Sequence, residues 1–241
     1  MESNIIEEDH RQNGRNMKLK TLISNAYSVC MISKSASTGT GFFLRITKNN
    51  KPLYMLVTAC HVINSSLISS NQTIEIIIEI SGIKEKIAFN KEQKDRIIIC
   101  MEEEDITAIQ LIESDPLMDK DKIKFLDYDH KCHEKNYDDY LLQDIYTLHH
   151  PNGQEMECTS GKINGVREPR KFQFEHNLDT NTGTSGAPIL SLDRLNENPK
   201  VIGVHTSTYK EKTNNIGTFI NVLIENIMNE NYKENKIEGT E

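Results

Sequence analysis

The 241-residue chain carries 28 basic and 36 acidic residues, a net charge of −8 and an isoelectric point near 5.6, a balance that argues against general nucleic-acid or anionic-membrane binding. Its 37% hydrophobic and 27% charged residues fit a globular protein with enough chain for one large domain or two small ones. Cys30, Cys60, Cys100, Cys132 and Cys158 fall at wide, irregular gaps, which excludes a disulfide framework and suits a reducing compartment.

Residues 1 to about 20 are polar and charged and read as a tail; they hold no apolar stretch of the secretory kind. No later apolar run approaches the roughly 20 residues of a membrane helix, so a soluble cytoplasmic protein is the expectation. Short β-rich segments follow: AYSVCMI (26–32), GTGFFLRI (39–46), LYMLVTA (53–59), TIEIIIEI (73–80), EKIAFN (85–90), RIIICME (96–102) and ITAIQL (106–111). A polar stretch separates these from LLQDIYTLHH (141–150), GKINGV (161–166), KFQFEHNL (171–178), APILSL (187–192) and KVIGVHTSTY (200–209). Many short strands with Gly, Asn, Asp or Ser between them predict an all-β sandwich or barrel architecture. Near the end, Phe219, Leu223 and Ile227 fall at helical spacing and predict a C-terminal amphipathic helix from about residue 218.

Three stretches carry chemistry. In NTGTSGAPIL (181–190), two glycines flank a hydroxyl at Ser185, in a form that suits either a plain turn before a strand or a turn that exposes one hydroxyl and aims N–H groups beside it. A serine hydroxyl becomes a useful nucleophile only when a base takes its proton and a carboxylate orients that base. LVTACHVI (56–63) offers His61 where a hydrophobic strand ends, and EEEDITAIQL (102–111) offers Asp105 where an acidic run meets a strand. Each has a bland counterpart, namely a core or surface histidine and a solvated charge run, and Glu104 is an alternative carboxylate.

Taken together, in the order His, Asp, Ser, the three resemble the trypsin-like (chymotrypsin-fold) serine peptidases. The residues that carry this resemblance are Thr58-Ala59-Cys60-His61, Asp105-Ile106-Thr107-Ala108-Ile109 and Gly183-Thr184-Ser185-Gly186-Ala187-Pro188. GTGFFL, HHPNG and VIGVHTS match further family strands and turns, so the resemblance spans about residues 22–230. It implies two antiparallel six-stranded β-barrels with a C-terminal helix: 21–115 for the first barrel, 116–134 for a linker, 135–216 for the second and 217–241 for the helix and tail. It also implies His61 as general base, Asp105 as its orienting acid, Ser185 as nucleophile, and the N–H groups of Gly183 and Ser185 as an oxyanion hole. The substrate implied is a protein or peptide, with no cofactor.

Departures from the family narrow the branch. The extracellular trypsins place a disulfide cysteine just after the histidine, whereas here Val62 follows and Cys60 precedes; no Ile-Val-Gly-Gly-type activation start is visible, and Ala187 replaces the usual Gly or Ser. The resemblance is therefore to the disulfide-free bacterial-type branch, including glutamyl endopeptidases. Asp179 stands where trypsins bind Lys or Arg, while Thr180 and His205 match positions that bind an acidic side chain in glutamyl endopeptidases. An imidazole with a hydroxyl suits a carboxylate, so an acidic or small polar P1 residue is expected. A catalytically silent, peptide-binding form of the same fold is the alternative.

Other clusters are weaker. His130, Cys132 and His133, with His149 and His150, include zinc-type ligands but match no standard spacing, and no metal is expected. Asn64-Ser65-Ser66 and Asn71-Gln72-Thr73 match the glycosylation sequon, which carries no information without a secretory signal.

Overall fold

In the computed structural model, the described residues are 18–34, 37–70, 73–88, 96–118, 123–131, 136–192, 198–208 and 214–229. The first half builds α1 (Leu19–Ala26) and seven strands: β1 (Val29–Lys34), β2 (Ser37–Lys48), β3 (Lys51–Thr58), β4 (Thr73–Ile78), β5 (Ile83–Ala88), β6 (Ile98–Met101) and β7 (Ile106–Leu111), with α2 (Ser65–Ser69) between β3 and β4. They pair antiparallel in the order β5-β4-β1-β2-β3-β7-β6. Asn49 and Asn50, at φ 50° and 60°, make the two-residue β2–β3 turn, a conformation asparagine tolerates and one that fits the strand twist.

The second half contains β9 (Asp144–His149), β10 (Glu157–Val166), β11 (Gln173–His176), β12 (Pro188–Ser191), β13 (Lys200–Thr208) and β14 (Asn215–Phe219). Their pairing runs β12-β9-β10-β11-β14-β13 and returns from β13 to β12, a closed six-stranded barrel. The closed barrel and the C-terminal helix α3 (Asn221–Asn229) agree with the all-β expectation. The first half differs from the expected six strands: it has seven, and among the described residues no ladder joins its edge strands β5 and β6.

Three elements depart from the sequence expectation. Strand β8 (Leu126–Tyr128), within the stretch assigned to a linker, pairs parallel with both β2 and β13 and stitches the halves together. At that seam Asp127 meets Arg45 at 2.8 Å and Lys200 at 3.0 Å. Burial would raise the Asp127 carboxyl, but the two cations override it and hold it below its ordinary range. α1 begins at Leu19, inside the stretch assigned to a polar tail, because Leu22 and Ala26 find the interbarrel core to pack on. Phe219, given to the helix by its spacing, instead ends β14, where it pairs with Gly203; the helix starts two residues later.

Alternation of side chains places three cores. Phe43 and Leu56 point into the first half, with Ile32 and Ile109. Ile145, Phe174, Ile189 and Phe219 fill the closed barrel. Phe42, Leu44, Tyr146, Leu148 and Val204, on the opposite strand faces, meet between the halves and are roofed by Leu223, Ile224 and Ile227 of α3. Strand β9 is thus buried on both faces along its length and β2 over residues 39–44, which is why Phe42, Phe43 and Leu44 follow one another without alternation.

Candidate active site

Ladder register brings His61 and Asp105 together. Thr58, the last residue of β3, pairs with Thr107 near the start of β7, so the turn after one strand lies against the residue before the other. The Cys60 N–H donates to the Asp105 carbonyl at 3.1 Å, and the His61 N–H to Asp105 Oδ1 at 2.9 Å. His61 Nδ1 lies 2.8 Å from Asp105 Oδ2 and 3.1 Å from Oδ1. Asp105 sits at φ 57°, a left-handed conformation that aspartate accepts more readily than most residues. Glu104, the alternative acid, serves through its backbone: its carbonyl accepts from Thr218 Oγ1 of the closed barrel at 2.7 Å. Lys34 Nζ donates to the Val62 carbonyl at 2.7 Å and steadies the other side of the histidine turn.

Ser185 stands on a turn between Gly183 (φ 91°) and Gly186 (φ 88°). A Cβ at Gly183 would lie 2.6 Å from the His150 carbonyl oxygen, so only glycine fits there. The turn is pinned from both halves. Thr40 N–H donates to the Ser185 carbonyl and Thr40 Oγ1 to the Gly183 carbonyl, each at 2.8 Å. From β13, the His205 carbonyl accepts from Gly186 N–H at 2.8 Å. Within the turn, Thr184 and Ala187 spend their N–H groups on Asn181 and Thr184 carbonyls, whereas those of Gly183 and Ser185 donate to no protein acceptor among the described residues.

His61, Gly183, Ser185 and His205 line one cleft of about 380 Å³. No hydrogen bond from Ser185 Oγ to the imidazole is formed among the described residues, an ordinary looseness for a site without substrate. Asp179 is exposed and Thr180 half-buried, and neither lines this cleft. Thr180 Oγ1 is buried without a partner among the described residues.

Behind the cleft His205, expected to bind a P1 side chain, and His149, weighed only as a zinc-type ligand, gather with His176, which the sequence did not mark. His205 Nδ1 is 3.2 Å from His176 Nε2, and both rings are buried. His149 Nδ1 is 2.8 Å from Thr184 Oγ1, beneath the serine turn. Burial lowers His149 to about 4 and His176 to about 3. It also drives His205 well below the ordinary imidazole value, helped by the neighbouring His176, His149 and His61. His149 and His150 do not act as a ligand pair, since His150 Nδ1 bonds the Gln154 carbonyl at 3.0 Å. Cys132 and His133 lie outside the described residues, and no cluster of three His, Cys, Asp or Glu side chains suited to a metal occurs among the described ones. Thr40, Thr218 and His149 were missed as supporting residues; the only local signal was Gly39 and Gly41 flanking Thr40.

A strand-bordered histidine–carboxylate pair facing a glycine-flanked serine across a cleft between two β units defines the class of trypsin-like serine peptidases. The sequence profile of the trypsin-like peptidase domain matches residues 39–204, and the chain belongs to that family. Solved structures with similar folds include the serine endoprotease from Yersinia pestis (TM-score 0.58, 11% identity, 86% of this chain, 63% of that one). Deg5 is another (TM-score 0.55, 19% identity, 86% of this chain, 90% of that one). A third is the HtrA-type protease AlgW with tripeptide (TM-score 0.57, 14% identity, 85% and 60%). The chain thus spans less than two thirds of the Yersinia pestis and AlgW chains it resembles. No curated protein matches the sequence.

Proposed function

We propose that this chain is an endopeptidase that cuts protein or peptide substrates through His61, Asp105 and Ser185. The observation that carries the reading is the convergence of an Asp105-bound imidazole, a half-buried serine on a buried turn and two N–H groups without an acceptor among the described residues on one cleft. Ser185 Oγ attacks the scissile carbonyl carbon while His61 Nε2 takes its proton. The carbonyl oxygen, now negative, accepts from the N–H groups of Gly183 and Ser185, each such donor being worth about 10²–10³ in rate. Collapse expels the amine, which takes the proton from His61, and water then releases the acyl group by the same steps in reverse. Asp105 holds Nδ1 protonated so that Nε2 faces the serine. The domain reading that goes with it is a first barrel over 21–115 carrying His61 and Asp105 and a second over 135–216 carrying Ser185.

For specificity we propose an acidic P1 side chain, bound at His205. With Nδ1 committed to His176, the remaining nitrogen of His205 is the one available to a P1 carboxylate in the cleft that His205 lines. A carboxylate there would favour protonation of an otherwise neutral ring. Thr180, expected to share this role, does not line the cleft and its hydroxyl is buried without a partner among the described residues, so the reading rests on His205; Asp179 is exposed outside the cleft. Cleavage profiling on a proteome-derived peptide mixture tests both parts. It should yield cuts after Glu or Asp that vanish with Ser185→Ala; cuts after Lys or Arg would refute the pocket assignment, and no serine-dependent cuts would refute the activity.

A further inference from the structure

Every cysteine in the described core but two lacks a sulfur neighbour. Cys30 is sealed in the first-half core and Cys158 is exposed on β10. Cys60 and Cys100 differ: their sulfurs are 2.7 Å apart, within about 1 Å of the ~2.05 Å of a disulfide bond. We infer that Cys60 and Cys100 form a site of reversible disulfide closure that staples the His61 turn to strand β6.

The placement follows from the sheet. Thr58 and Cys100 both pair with Thr107 of β7, from opposite sides. The chain after Thr58 then folds over the end of β7, held there by the Cys60 N–H bond to the Asp105 carbonyl, and brings Cys60 above Cys100. The same backbone that positions His61 and Asp105 therefore brings the two sulfurs together. The 40-residue separation of the two cysteines makes the bridge a restraint on the unfolded chain, and the unbridged form loses that restraint.

The chemistry balances with a small-molecule disulfide as oxidant. The half-buried Cys100, as thiolate, attacks one sulfur of the oxidant and expels one thiolate. Cys60 then attacks the Cys100 sulfur of the mixed disulfide, expels the second thiolate and passes its proton to solvent. Two protein thiols are oxidised, one disulfide is reduced to two thiols, and an excess of dithiol reverses the reaction. Burial and the neighbouring Cys100 push the Cys60 thiol up to about 12, so it is a poor first attacker and Cys100 leads.

The test uses the full chain, fully reduced, desalted and incubated with oxidised glutathione under native conditions, then denatured and alkylated so that each cysteine is read separately. Cys60 and Cys100 should become protected together as one linked peptide pair while Cys30 stays alkylated, and Cys100→Ser or Cys60→Ala should leave the surviving partner unlinked. The linked protein should melt about 10 °C above its reduced form, a shift absent in Cys100→Ser. Cys60 remaining alkylated in the wild type, glutathione persisting on Cys100, or an equal thermal shift in Cys100→Ser would each overturn the assignment. None of these readouts depends on peptidase activity.

Discussion

Thr40 holds the carbonyl of Ser185 with its backbone N–H at 2.8 Å, although the two residues lie on different halves of the molecule. Its hydroxyl simultaneously donates to the Gly183 carbonyl at 2.8 Å and accepts from His150 N–H at 3.1 Å. Thr40, fully buried on β2, therefore fixes the 183–184 and 185–186 peptides, which flank the N–H groups of Gly183 and Ser185 that have no acceptor among the described residues. Thr40→Val keeps the shape and strips the hydroxyl, leaving two buried backbone groups unpaired at a cost of about 1–3 kcal/mol. The expected result is a fall of about tenfold or more in kcat with a smaller change in KM, rescued by Thr40→Ser. Steady-state kinetics on the three proteins checks it.

The carboxylate assignment separates two neighbours. Asp105→Asn should lower kcat by about 10⁴, because the amide favours the wrong imidazole tautomer. Ser185→Ala and His61→Ala should each cost at least as much while the protein stays folded. Glu104 contacts Thr218 through its backbone only, so Glu104→Gln should retain near-normal activity. A larger loss from Glu104→Gln than from Asp105→Asn would reassign the acid.

Acid should destabilise the fold through its buried histidines. His149, His150, His176 and His205 are all depressed below their ordinary value of 6.5, burial being the leading cause in each case. As pH falls below 6.5 the unfolded chain takes up protons that the folded one refuses. Stability is therefore complete above that value and declines as pH drops towards about 4 for His149 and about 3 for His176. Each group contributes a slope of up to ~1.4 kcal/mol per pH unit across its window. Urea unfolding at pH 7.5 and 5.0 should show a clear loss at the lower pH, reduced in His149→Gln; equal stability at both would contradict this.

Specificity should follow His205. Glu and Asp substrates are expected to be cut faster than Lys or Arg ones, and His205→Ala should remove that preference while the triad still reacts with a small acylating agent. Asp179→Ser should change little. Matched peptide series differing only at P1 distinguish this from a trypsin-type pocket, in which Asp179→Ser would abolish cleavage after Lys or Arg.

The positions of His61, Asp105 and Ser185 were legible because each lies at a strand end or tight turn whose local sequence fixes it: an apolar run ending at Thr58, a strand opening at Ile106, and two glycines that a left-handed turn requires. What surrounds them was not legible. Thr40 and Thr218 act across separations of 143 and 114 residues, and no local pattern encodes such contacts. The three-residue β8 draws its partners from both halves and has too little length for periodicity. Phe219 fits helical spacing with Leu223, yet ladder bonds between β13 and β14 claim it first. Tertiary pairing outweighed local pattern at each of these points.

A fluorophosphonate probe reports directly on whether Ser185 is an activated nucleophile. The full chain should be labelled covalently at Ser185, as located by peptide mass spectrometry, with labelling lost in Ser185→Ala and strongly slowed in His61→Ala and Asp105→Asn. A folded wild-type protein that remains unlabelled, or one labelled equally well without Ser185, would contradict it.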